Sequence, residues 1–201
     1  MNEGHFIMGR GRLEAFSDGV IAIIITIMVL ELKVPHGDGL AALAPLIPVL
    51  LSYLLSFIYI GIFWSNHHHM LHLADRSTGS MLWANLHLLF WLSLVPFTTG
   101  WMGENHFTPL PTAAYGIVLL MASIAFLILQ HRIIASQGEI SRLKRAVGGD
   151  WKGKFSTVLY LAAVFLAFLS PWMAIAIYVF VALMWLIPDR RFERALGGTE
   201  T

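Results

Sequence analysis

The chain has 201 residues, of which 57% are hydrophobic and 12% charged, with a formal net charge of +1. Soluble domains carry about 25% charged residues, so this is the composition of a membrane protein. The basic residues are scattered over separate loops, which argues against a nucleic-acid partner, and the lack of cysteine excludes disulfides, thiolate metal sites and cysteine nucleophiles.

Residues 1–13 hold Glu3, Arg10 and Arg12 and no cleavable signal pattern, so the first apolar run is expected to remain as a span. That run, 16–34, is followed by others at 46–64, 82–102 and 110–129, each long enough to cross a bilayer. Pro96 is expected to kink the third. Residues 133–147, with Arg142, Lys144 and Arg145, read as an interfacial helix. The last apolar stretch, 155–187, would be about 50 Å long as one helix, well beyond a hydrocarbon core of about 30 Å. Ser170-Pro171 divides it, because proline removes a donor and disfavours helix at the residue before it. The expectation is a hairpin of spans 155–170 and 172–187, and hence an all-α integral membrane protein with six spans in one domain covering 1–201.

Direction follows from lysine and arginine, which are enriched in cytoplasmic loops. An inside N-terminus puts Arg10, Arg12, Arg76, Arg132, Arg142, Lys144, Arg145, Lys152, Lys154, Arg190, Arg191 and Arg194 on the cytoplasmic side and leaves Lys33 outside. A five-span plan would strand the last three on the wrong face. Both termini are therefore expected in the cytoplasm of a multi-pass protein of the cell (inner) membrane. Trp64, Trp83, Trp151 and Trp185 fall at inner boundaries and Trp101 and Trp172 at outer ones, as an aromatic belt requires. Glu31, Asp38 and Glu104 make the outer mouth mildly acidic.

The first span carries the most information. Helical spacing places Phe16, Gly19, Ile23, Thr26, Ile27, Leu30 and Val34 on one stripe, with Asp18, Ala22 and Ile25 roughly opposite. The stripe has two readings. It packs against neighbouring helices, with Ser17 or Asp18 capping the helix; or, if several copies surround an axis, it makes apolar rings at Ile23, Ile27 and Leu30 and a polar ring at Thr26, a constriction of the kind that closes by dewetting. Asp18 is costly inside a span, about 3 kcal/mol on insertion scales, so it needs a partner, with Arg12 and the histidines of the second span as candidates.

Those histidines follow Asn66 as His67-His68-His69, with His72 one turn on. Imidazoles at such spacing can ligate metal, but membrane di-iron enzymes spread several clusters over different loops, and His87 and His131 are isolated. Hydrogen bonding is the favoured role: with Asn66, one or two of them reach Asp18 or the base of the third helix. No catalytic residue, metal or cofactor is expected, and a pH-dependent pore is a secondary reading.

At residues 12–31, centred on Phe16-Ser17-Asp18-Gly19-Val20, the chain closely resembles the first helix of prokaryotic members of the transmembrane protein 175 family, relatives of the lysosomal potassium channel of animals. The resemblance implies a passive channel that prefers potassium among monovalent cations, a homotetramer of six-span subunits whose first helices line a central pore. It matches Ile23 to the narrow constriction, Ile27 and Leu30 to further apolar rings, Thr26 to a selectivity layer, and Arg12 and Asp18 to a polar pair bracing the helix. Ser17, Asn66, His67 and His68 complete the expected polar network at its inner end. Nothing resembles a Thr-Val-Gly-Tyr-Gly carbonyl filter or an arginine ladder, so modest selectivity from side-chain rings is expected. The competing reading is a proton-coupled secondary transporter using Asp18 and His67 to His69, although inverted repeats are not apparent.

Overall fold

The computed structural model of the chain describes residues 9–37, 39–74, 77–138, 141, 143–144, 148 and 150–186, and its regular structure there is entirely helical. The elements are α1 (Arg10–Leu30), α2 (Ile47–His72) with a 3-10 segment (Leu40–Leu46) before it, α3 (Gly79–Ser93), α4 (Val95–Glu104), α5 (Pro109–Gln137), α6 (Trp151–Leu169) and α7 (Pro171–Leu186).

Their ends are set by local chemistry. Prolines occupy the first turns of α2, α4 and α5, where a missing N–H costs nothing. Thr78 caps α3 by accepting from the Met81 N–H at 3.3 Å, and Asp150 caps α6 by accepting from the Gly153 N–H at 3.3 Å. The third span is interrupted at Leu94, two residues before Pro96, so α3 and α4 form the expected bent span. Ser170 is extended (φ −156°, ψ 111°) and Pro171 opens α7, which gives the expected hairpin. Among the described residues, five stretches are long and apolar enough to cross a membrane, with α3 and α4 counted together, and the apolar α7 is shorter. The chain is a multi-pass membrane protein.

Several boundaries differ from the sequence reading. α1 starts at Arg10, so Ser17 and Asp18 lie inside it rather than at its cap, and it ends at Leu30, which removes Val34 from the helical stripe. α5 stays continuous through Gln137 until Gly138 turns with φ 68°. Ile133 to Gln137 therefore prolong a span instead of opening an interfacial helix. Arg142 and Arg145 of that expected helix lie outside the described residues, as do Asp38, Arg76, Arg190, Arg191, Arg194 and both termini.

α5 is the hub, packing on α3, α4, α6 and α7. Close approach needs small residues: a Cβ on Gly103 would sit 2.8 Å from the Val49 backbone, so α4 meets α2 with nothing between the chains. Backbone and hydroxyl groups with no water nearby must find partners inside the bundle. Ser56 meets Thr99 at 2.6 Å and donates to the Tyr115 hydroxyl at 3.0 Å, and the Tyr59 hydroxyl donates to the Tyr178 carbonyl at 2.6 Å, so α2, α4, α5 and α7 are tied inside the bundle.

Candidate functional site

α1 lies at one side of the bundle, against α2, α3 and α4. Its packed face is Leu13, Ser17, Ile21, Ile24 and Met28. At about 100° per residue that face is centred roughly 120° from the stripe, not opposite to it. Ala22, expected on the far side, is exposed, while Asp18 and Ile25 are half-buried. Phe16, Gly19, Ile23, Thr26, Ile27 and Leu30 all face away from the subunit's own helices, Ile23 at 60% and Leu30 at 76% exposure. Thr26 donates its hydroxyl hydrogen to the Ala22 carbonyl at 3.0 Å, so what it offers outward is oxygen lone pairs.

The rotation of α1 is fixed by a fully buried polar chain. The Ser17 hydroxyl donates to the Leu13 carbonyl at 2.8 Å and accepts from Asn85 Nδ2 at 2.9 Å. Asn85 Oδ1 can only accept, so the 2.7 Å bond to His67 makes Nε2 the donor and assigns the tautomer. Ser17, Asn85 and His67 come from α1, α3 and α2, and each is fully buried. Turning the stripe toward the bundle would break this chain.

Around it lie contacts at the inner end. Asp18 Oδ1 accepts from Trp64 Nε1 at 2.9 Å, so its partner is the indole of α2. Arg12, the expected partner, is exposed. His68 Nδ1 lies 2.8 Å from Glu14 Oε1, with its ring stacked between Trp64 and His72 at centroid distances of 6.1 Å. Asn66 does not reach Asp18: its Nδ2 donates to the Ile62 carbonyl of its own helix at 2.8 Å, where an amide one turn on finds its nearest acceptor. Arg10 donates to the His72 and Ala74 carbonyls at 3.0 and 3.1 Å, tying the start of α1 to the end of α2.

Of the four clustered histidines expected to reach Asp18 or the third helix, His67 is the one bonded to Asn85 of α3; Asn85, Trp64, Glu14 and Arg10 were not among the expected partners. Asn85 had a signal, a lone amide in the apolar run from Leu82 to Leu89. At the other end of α1, Lys33 Nζ meets Glu104 Oε1 at 2.6 Å, and that carboxylate's hydrogen bond raises the lysine pKa. The exposed Lys33 ammonium, charged at neutral pH, thus stands beside Glu104 at this end. No group of three potential metal ligands occurs among the described residues.

The family described as endosomal/lysosomal potassium channel TMEM175 matches residues 12–96. A protein of Chryseobacterium sp. (strain P1-3), named a potassium channel, is 54% identical over 94% of this chain and 98% of its own length. One of Streptomyces collinus, also named a potassium channel, is 31% identical over 87% of this chain and 90% of its own. Among solved structures, a lysosomal potassium-selective channel TMEM175 homolog from Chamaesiphon minutus superposes with a TM-score of 0.78 at 30% identity, over 90% of this chain and 97% of that one.

Proposed function

The chain belongs to the TMEM175 family, and from that premise we propose that it is a passive potassium-selective channel, a homotetramer in the cell inner membrane with both termini cytoplasmic and α1 of each subunit lining the pore. Ile23, Ile27 and Leu30 form stacked apolar rings and Thr26 a ring of hydroxyl oxygens between them. Water leaves such a passage readily, so the rings close by dewetting, and the Thr26 oxygens are the acceptors offered to a partly dehydrated cation. No cofactor is required, and potassium is the expected occupant. The observation that carries this reading is the uncovered stripe on a helix whose rotation is locked by Ser17, Asn85 and His67.

The carrier reading has less support. Asp18 is held by Trp64 and His67 by Asn85, while His68 lies beside Glu14 without a hydrogen bond, separate surroundings where a relay needs a continuous path. Purified protein in a planar bilayer under a potassium gradient decides between them. The expected record is step-like openings that reverse near the potassium equilibrium potential and are unaffected by a proton gradient; silent membranes with proton-coupled potassium flux would overturn the channel.

A further inference from the structure

A groove lies between α1 and α4 at the end of the bundle where both helices stop. It holds about 460 Å³, within the range of small-molecule sites. Its α1 side includes Ile27 of the stripe, and on α4 Gly100 leaves it open, since a Cβ added there would meet nothing within 4 Å. Phe97 and Trp101, one turn apart on α4, border it with ring centroids 5.9 Å apart and planes tilted by 32°. An occupant therefore meets an aliphatic wall and two π faces.

Charge enters at one end. Glu31 follows the last residue of α1 and Glu104 is the last of α4, and both line the groove. No lysine or arginine lines it among the described residues, and Lys33 stands 2.6 Å from Glu104, so two carboxylates face one ammonium. This setting discriminates between occupants. An acyl chain would leave the carboxylates against hydrocarbon, which is costly. A bare divalent cation wants about six oxygens, more than two carboxylates supply when one already has an ammonium beside it. A primary ammonium is strongly hydrated, and an open groove does not strip it. A quaternary ammonium carries its charge on methyl groups that pack on apolar walls, and ring faces attract it.

We propose that this groove binds a quaternary ammonium ion, with the charge beside Glu31 and the faces of Phe97 and Trp101 and the methyl groups against Ile27. A choline-bearing lipid headgroup and a free quaternary amine share that chemistry. The probe is choline, titrated by saturation-transfer NMR against the full chain in phosphatidylglycerol nanodiscs, with the uncharged 3,3-dimethyl-1-butanol as its carbon isostere. Glu31→Gln removes the charge but keeps the backbone N–H that bonds the Ile27 carbonyl at 3.2 Å, so α1 still ends in the same way. Gly100→Leu puts a side chain into open space and fills the groove.

The expected result is saturable choline binding weakened at least fivefold by Glu31→Gln, with the alcohol binding more weakly and unchanged by that variant, which also serves as the control for folding. Gly100→Leu should abolish both. Displacement of choline when phosphatidylcholine replaces part of the lipid would assign the site to a headgroup, and no displacement to a free ion. Equal affinity of choline and alcohol, choline binding unaffected by Glu31→Gln, or no binding, as a second copy of the chain seated in the groove would produce, would overturn the proposal. Because the readout is binding and not current, it stands or falls independently of the pore.

Discussion

Replacing Ile23 by asparagine should raise single-channel conductance several-fold and shift the reversal potential in mixed potassium and sodium away from that of potassium. An isoleucine ring repels water because its methyl groups offer no hydrogen bonds, so the barrier to ion passage is largely the cost of wetting the constriction. An amide ring stays wet, and a hydrated cation that is not stripped is not discriminated. At 60% exposure within its own subunit, Ile23 leaves little intramolecular packing to lose, so the variant should fold normally. The neighbouring Ile24→Asn is the control. Ile24 is 3% exposed, and an amide buried there loses apolar contacts and leaves polar atoms unpaired, about 2–5 kcal/mol. That variant should melt at a lower temperature while the protein that survives keeps its selectivity. Two variants one residue apart would thus fail in different ways.

The second large effect is expected at Asn85. Asn85→Leu fills the space but removes both bonds that join α3 to α1 and α2. The Nε2–H of His67 then has no acceptor in a fully buried site, and Ser17 loses its donor. An orphaned buried group costs about 1–3 kcal/mol, while interhelical bonds in membranes average nearer 0.6, so a total of about 2–3 kcal/mol is expected. For a chain of this size that is a fall in melting temperature of about 5–10 °C, read by fluorescence in detergent. His67→Leu alone should cost less, because Asn85 keeps its bond to Ser17. The double variant should cost less than the sum of the two, since both remove the same bond. An additive result would mean that His67 and Asn85 do not act together.

The helices were legible from the sequence because a bilayer forces every backbone group into intrahelical bonding, which turns apolar length into helix. Pro96 and Pro171 marked their breaks for the same reason that proline always does. What periodicity alone could not give was the packed face of α1. Exposed and buried residues there are equally apolar, Ile23 against Ile24, so hydrophobicity carries no phase in a membrane helix as it does in a soluble one. Helical spacing laid out the stripe but left its two readings open, and only the resemblance to related first helices favoured one of them. Polar partners were legible in kind more than in identity. That Asp18 would find a partner followed from the cost of a buried charge, but the choice of Trp64 over Arg12 depends on where α2 crosses α1. Asn66 was overrated for a local reason, a backbone carbonyl within reach four residues before it.

The arrangement of α1 around a common axis can be tested directly, since the chain contains no cysteine and any thiol introduced is unique. Cysteines placed singly at Ile23, Ile27, Ile21 and Ile24 can be exposed to a small cationic methanethiosulfonate while potassium current is recorded, and to an oxidant before electrophoresis. If the α1 helices meet with their stripes inward, the first two positions lose current on modification and cross-link to dimers between subunits, and the last two do neither. Current that survives modification at both Ile23 and Ile27, with no dimers formed there, would place the stripe against lipid and remove α1 from the conduction path.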